Sequence, residues 1–354
     1  MPRRVVVWGT GNVGIPALRT VVSNPNLELV AVLVSNPKKV GRDAGELVGL
    51  PPLGITATDD VEAALGSGAD AVAYCASGDF RPDDALADIE RSLRAGLNLV
   101  STSVYPLYDP TSAPTAVRER MESACAEGRS SCFVSGIDPG FINDVIPLAL
   151  SGLCEEIREV RAYEIFNYAY YDQPDAVRNL IGFGRPMEQT PPMILPGAPT
   201  MVWGGVLRLA ARGLGVELED IHEVVERRPL EKTVENQLGV FEKGTQGAFR
   251  FEVQGIVDGK PKIVVEHTTR IDDEIAPDWP RPHVGSGAHG VKLTGRPNIH
   301  LEIESEDDAG DRAVGGNSTA AARVVNAIPF VCDAAPGLLD ALSVPLQVGR
   351  GLLR

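Results

Sequence analysis

The chain has 354 residues, 44% hydrophobic and 23% charged, a balance that excludes disordered and fibrous classes and a length that exceeds what one core usually serves. A formal net charge of -15 leaves no general basic face, so neither nucleic acid nor an anionic membrane is expected as a partner. The five cysteines stand singly, no apolar run approaches the ~20 residues that span a bilayer, and Met1-Pro2-Arg3-Arg4 leads straight into a strand pattern without a signal segment, so a cytoplasmic protein is expected.

Arg4 to Trp8 is a short β-branched run, followed by the turn Gly9-Thr10-Gly11-Asn12-Val13-Gly14 and then by helical spacing from Ile15 to Val22. Leu27 to Val34 is apolar apart from Glu28, as a parallel strand covered on both faces should be. Further strands are predicted over Ala69–Ala76, Leu97–Thr102 and Ser131–Ser135, with helices over Pro82–Ala95 and Pro114–Glu127 between them. This alternation predicts an α/β fold, a doubly wound parallel sheet of the Rossmann type over residues 1–148. After Cys154 the texture changes. Glu159–Phe166 and Phe249–Val257 alternate, and Lys262–Thr269 and His300–Ser305 read as strands, predicting an α+β substrate domain over 149–315 with a mixed or antiparallel sheet. Thr200–Arg212 has helical periodicity, and Pro186–Pro199 reads as a loop. Asn317–Ala327 is a helix with Asn317, Ser318 and Thr319 as capping candidates; residues 316–354 are expected to return to the first domain as helices.

The spacing Gly9-x-Gly11-x-x-Gly14, after a strand and opening a helix, is the dinucleotide fingerprint: one glycine for the turn, one for approach of the pyrophosphate, one for helix packing. A P-loop would need GK[ST], which Asn12-Val13-Gly14-Ile15 does not supply. The predicted cofactor residues are therefore Gly9, Thr10, Gly11, Asn12, Val13 and Gly14, with Ser77 and Gly78 after the fourth strand and Ser101 and Thr102 after the fifth lining the nicotinamide side. No acid follows the second strand to accept from a ribose diol. Ser35, Asn36, Lys38, Lys39 and Arg42 stand there instead, so NADPH is favoured and NADH remains possible; a solvated basic loop is the alternative.

Val5–Gly14, Ser135-Gly136-Ile137-Asp138-Pro139-Gly140-Phe141-Ile142-Asn143-Asp144 and Val324–Pro329 together resemble the dihydrodipicolinate-reductase-like family, closest to its 2,4-diaminopentanoate and native amine dehydrogenases. The resemblance implies a Rossmann domain completed by C-terminal helices, a substrate domain with a cleft beside it, a homodimer, and NAD(P)H-dependent interconversion of a ketone plus ammonia with a primary amine. It also implies a glutamate soon after the fifth strand, to hold and deprotonate the amine. Here that stretch reads Ser101-Thr102-Ser103-Val104-Tyr105-Pro106-Leu107-Tyr108, with no carboxylate before Asp109. Tyr105 can donate a proton but serves better toward a carbonyl oxygen.

Tyr105 and Asp144 are the catalytic candidates; the bland role for Asp144 is a helix cap. Asp138, Asn143, Tyr168 and Tyr170 are the substrate-binding candidates, although covering the sheet or a dimer interface is the slightly favoured role for the tyrosines. The five histidines form neither HxxxH nor HExxH, so no metal site is expected, and His289, in a glycine-rich segment, reads as a loop residue. The reading is an NAD(P)H-dependent oxidoreductase reducing a C=O or C=N bond of a small molecule. Alternatives are an amine dehydrogenase without the usual glutamate and a catalytically silent NADPH sensor.

Overall fold

The computed structural model describes residues 1–78 and 81–353. It divides into two compact units, Met1–Ile137 with Asn317 onward, and Asp138–Gly316. The expected boundary lay at residue 148; the observed one falls just before Asp138.

Unit 1 holds β1 (Arg3–Trp8), β2 (Leu27–Leu33), β3 (Ala57–Thr58), β4 (Ala71–Tyr74), β5 (Asn98–Ser101) and β6 (Ser131–Val134). With the late strand Gly337–Leu339, labelled β15 below by its place in the chain, they form one sheet. The order is β15-β6-β5-β4-β1-β2-β3 and every pairing is parallel. The chain direction through the sheet reverses between β4 and β1, which places a switch point at the end of β1. Val5, Val6, Val7, Val72 and Ala73 have no exposed surface, so the middle strands are covered on both faces. The helix Gly14–Ser23 adds Ala17, Leu18 and Val21 to a core shared with Ala321, Val324, Ile328 and Val331 from the last third of the chain.

Unit 2 holds β7 (Glu156–Asn167), β8 (Asp220–Pro229), the short hairpin β9 (Val234–Asn236) and β10 (Gly239–Phe241), then β11 (Gln246–Val257), β12 (Lys260–Arg270), β13 (Gly287–Arg296) and β14 (Ile299–Ile303). The sheet order is β14-β13-β7-β12-β11-β8, with β7 and β12 parallel and the other neighbours antiparallel. The helix Ala198–Leu214 lies on β11 and β12 through Trp203, Val206, Leu207 and Ala210, all buried.

Three of the elements that differ from expectation have a physical reason. The helix at Asn317 starts earlier, spanning Arg312–Val325, because Asp311 accepts from the Val314 amide at 3.0 Å; Asn317, Ser318 and Thr319 are interior to it and not caps. Strand β13 falls where glycines suggested a loop. A Cβ at Gly290 would sit 2.2 Å from the Tyr163 ring and one at Gly287 2.4 Å from the Phe166 ring, so these glycines make room for aromatic rings across the strand. The third is β15, three residues long and too short for periodicity to reveal. No helix among the described residues is long and apolar enough to cross a membrane.

Candidate functional site

The glycine turn of unit 1 has the geometry its spacing implies. Gly9 takes φ +101°, and a Cβ there would meet the backbone of Cys75 and Ala76 at 2.9 and 2.8 Å. A Cβ at Gly14 would lie 2.1 Å from the Gly9 carbonyl, so the helix can start against the strand only with glycine there. A Cβ at Gly11 would meet nothing within 4 Å: the space beside it is open, where a pyrophosphate needs to approach. The helix beginning at Gly14 has no side-chain cap at Val13, so its N-terminus is not closed by a side chain. Thr10 is buried, while Gly11 and Asn12 are exposed. The residues present thus fit a dinucleotide.

Beyond β2, Ser35, Asn36 and Lys38 are exposed, but Lys39 is engaged: its Nζ donates to the Thr10 carbonyl at 2.6 Å and to Thr10 Oγ1 at 3.2 Å. The first carboxylate after β2, Asp43, accepts from the amides of Leu53, Gly45 and Gly54 at 2.8, 2.7 and 2.8 Å. Those bonds, the one from Leu53 foremost, hold its carboxyl below the usual range and occupy it structurally. At the ends of β4 and β5, Ser77 is exposed, Gly78 and Thr102 are half-buried, and Ser101 is buried, accepting from the Ser103 amide at 2.9 Å. Val104 takes φ 70°, in the left-handed region, and opens the 3₁₀ turn Tyr105–Tyr108; Tyr105 is half-buried.

In unit 2 the sheet register builds a second polar site. Across neighbouring strands, His289 of β13, Glu164 of β7, His267 of β12 and Phe251 of β11 stand directly opposite one another and so share one face. Asp138 joins them from the irregular segment Ile137–Phe141. His267 Nε2 lies 3.3 Å from Asp138 Oδ2 and its Nδ1 3.5 Å from Glu164 Oε1; His289 Nε2 lies 3.2 Å from Glu164 Oε2. The Trp203 indole N–H donates to Asp138 Oδ1 at 2.6 Å, and Tyr168 donates to Glu164 Oε1 at 3.4 Å. The His267 ring stacks on Phe251 at 4.8 Å and meets Trp203 at 4.4 Å. Its side chain is 2% exposed, that of Asp138 0%, that of His289 4% and that of Glu164 13%.

Burial alone would lower the His267 pKa, but the charges of Asp138 and Glu164 overcome it and raise it to about 10. Burial likewise opposes ionisation of Glu164, yet His267 and then His289 hold its carboxyl well below the usual range. Burial first, and then the Glu164 charge, push the Tyr168 phenol well above its ordinary value. Two carboxylates thus flank the His267 ring, and their proximity favours its imidazolium form.

Asp138 and Tyr168 belong to this cluster. Asp144 does not: it caps the helix Val145–Ser151, accepting from the Val145 amide. Asn143 accepts from the Gly140 amide at 2.9 Å, leaving its buried Nδ2 without a hydrogen bond. Tyr170 is 51% exposed. Glu164, His267, His289 and Trp203 were absent from the expected site. Their signal was faint: polar residues at inward positions of strands, for which the sequence does not give the pairing register. Asp138, Glu164 and His289 each offer a ligand atom within 4.8 Å of the others, the one such group among the described residues, where no metal site was expected.

Known proteins match the whole length. Residues 3–102 match the family model for the N-terminus of dihydrodipicolinate reductase, and residues 141–350 the 2,4-diaminopentanoate dehydrogenase C-terminal domain. An amine dehydrogenase of Streptomyces virginiae is 55% identical over 98% of both chains. The chain belongs to the 2,4-diaminopentanoate and amine dehydrogenase family. A 2,4-diaminopentanoate dehydrogenase of Acetoanaerobium sticklandii is 23% identical, covering 97% of this chain and 93% of its own. The amine dehydrogenase of Mycobacterium smegmatis, 19% identical, superposes with a TM-score of 0.77 over 98% of this chain and 97% of its own, and shares the fold. As a member of this family the protein is a nicotinamide-dependent oxidoreductase acting on a small molecule. Its stretch after β5 carries Tyr105 and no carboxylate before Asp109; the acids that converge in unit 2 are Glu164 of β7 and Asp138.

Proposed function

We propose that this protein is an NADPH-preferring amine dehydrogenase, converting a small ketone and ammonia to a primary amine. The observation that carries the reading is the 55% identity, over 98% of both chains, to a protein named amine dehydrogenase. In balance, ammonia forms the new C–N bond, the carbonyl oxygen leaves as water, and a hydride completes the amine, with one proton consumed. When bound, the dinucleotide supplies that hydride.

In this reading the amides at the glycine turn hold the pyrophosphate, and Ser77, Gly78, Ser101 and Thr102 border the nicotinamide. Tyr105 gives its proton to the departing oxygen. Ser35, Asn36 and Lys38 meet a 2′-phosphate, supported by their exposure and by the engagement of Asp43 elsewhere. Lys39, tied to Thr10, braces the turn.

NADPH oxidation with a panel of ketones, with and without ammonium chloride, tests the reading. Turnover that requires ammonium is expected; turnover independent of it makes the protein a carbonyl reductase. In the same assay, Tyr105→Phe is expected to lower kcat ~10²-fold, and an unchanged kcat removes Tyr105 as the acid.

A further inference from the structure

We propose that Asp138 and Glu164 form the receptor for the cationic nitrogen of the substrate, ammonium in one direction and a primary ammonium in the other. The proposal rests on the amination reading above and names the residues that serve it.

The first support is a buried acceptor whose one charged neighbour is not in hydrogen-bond geometry. Asp138 Oδ1 takes the Trp203 N–H, whereas the buried Oδ2 receives no hydrogen bond and has the His267 Nε2 beside it as an ion-pair contact at 3.3 Å. The side chain of Asp138 has no exposed surface. A buried carboxylate oxygen left so is costly, and a donor that arrives with positive charge removes the cost. The second is charge: two buried carboxylates converge on His267, which can neutralise one. A positively charged ligand lowers the cost of burying two carboxylates so close together.

Size and access agree. Asp138, Glu164 and His289 present atoms all within 4.8 Å of one another. A small cation seated among them reaches all three. Glu164 Oε2 also faces the His289 Nε2 at 3.2 Å, an arrangement for a shared proton. Glu164, at 13% exposure, is the most open of the four side chains, so the cluster is reached along its edge, beside the Tyr168 hydroxyl. The rings of Trp203 and Phe251, both packed on His267, add π-faces to the surroundings. With no carboxylate between Ser101 and Tyr108, the chain has the acid it needs in unit 2.

The test uses the full chain with saturating NADPH and ketone, and ammonium chloride as the varied probe. Asp138→Asn and Glu164→Gln are each expected to raise the KM for ammonium by about 10- to 100-fold, from loss of a charge-assisted hydrogen bond. NADPH binding, read by its fluorescence, is expected to be unchanged, and Asp138→Glu to recover part of the loss. A KM within twofold of wild type in both variants overturns the proposal, whereas wild-type turnover without ammonium overturns the amination reading itself. A titration of the wild-type protein, followed through its histidine ring resonances, needs no variant to fold. Ammonium or methylammonium chloride is expected to move the signals of His267 and His289 where sodium chloride at equal ionic strength does not; equal behaviour overturns the proposal. Stoichiometric zinc in the purified protein, with activity lost to a chelator, overturns it in favour of a metal site.

Discussion

At the scale of single residues, His267 couples the state of the site to pH. Its pKa is raised from 6.5 to about 10, so the stability it contributes is fully present below pH 6.5 and is lost as pH rises through 10. Glu164 acts in the opposite sense: its lowered pKa contributes stability above its ordinary 4.5 that is lost as pH falls. His267→Gln removes the charge between two buried carboxylates and should cost about 3–5 kcal/mol at neutral pH. The variant should also lose less stability than wild type between pH 7 and 10. Urea midpoints at several pH values check both; parallel pH profiles would show that His267 is not charged at neutrality. The tight turn at Gly9 and the close helix start at Gly14 were legible because spacing along a few residues encodes that geometry. His267 and Glu164 were not, since their meeting depends on which residues stand opposite across two strands.

At the scale of elements, β13 shows how composition misleads. Four of the residues from Gly285 to Gly295 are glycine, a loop signal that the structure contradicts from Gly287 onward. The Tyr163 ring that lies over Gly290 is fixed by its hydroxyl, bonded to His300 Nε2 at 2.7 Å and Glu302 Oε2 at 2.8 Å. It cannot yield without breaking both. Gly290→Ala is therefore expected to destabilise the protein by about 1–3 kcal/mol through overpacking, a fall of several degrees in Tm that calorimetry would detect. An unchanged Tm would mean the ring moves freely. Strands β1, β2, β4, β5 and β6 of unit 1 were legible because each is an apolar run bounded by a turn, whereas β3 and β15 are too short to carry that mark. In unit 2 the exposed β8 and the glycine-bearing β13 lack that mark, so its sheet was foreseen by class and not strand by strand.

At the scale of the molecule, a ligand that binds only the folded state stabilises all of it. NADPH at 100 times its Kd should add about 2.7 kcal/mol and raise Tm accordingly. NADH at the same concentration should raise it less, and Lys38→Glu should erase the difference between the two. Equal shifts in wild type would remove the 2′-phosphate preference. Unit 1 is assembled from both ends of the chain, with Ala321, Val324, Ile328 and Val331 in the core beside the helix of the glycine turn and β15 paired to β6. Unit 2 lies wholly within residues 138–316. During translation, therefore, every residue of the unit 2 sheet leaves the ribosome before unit 1 has its full core. The fingerprint at Gly9 is made well before the later residues of the core that supports it. A nascent chain thus carries the nucleotide signature long before it has a nucleotide-binding fold.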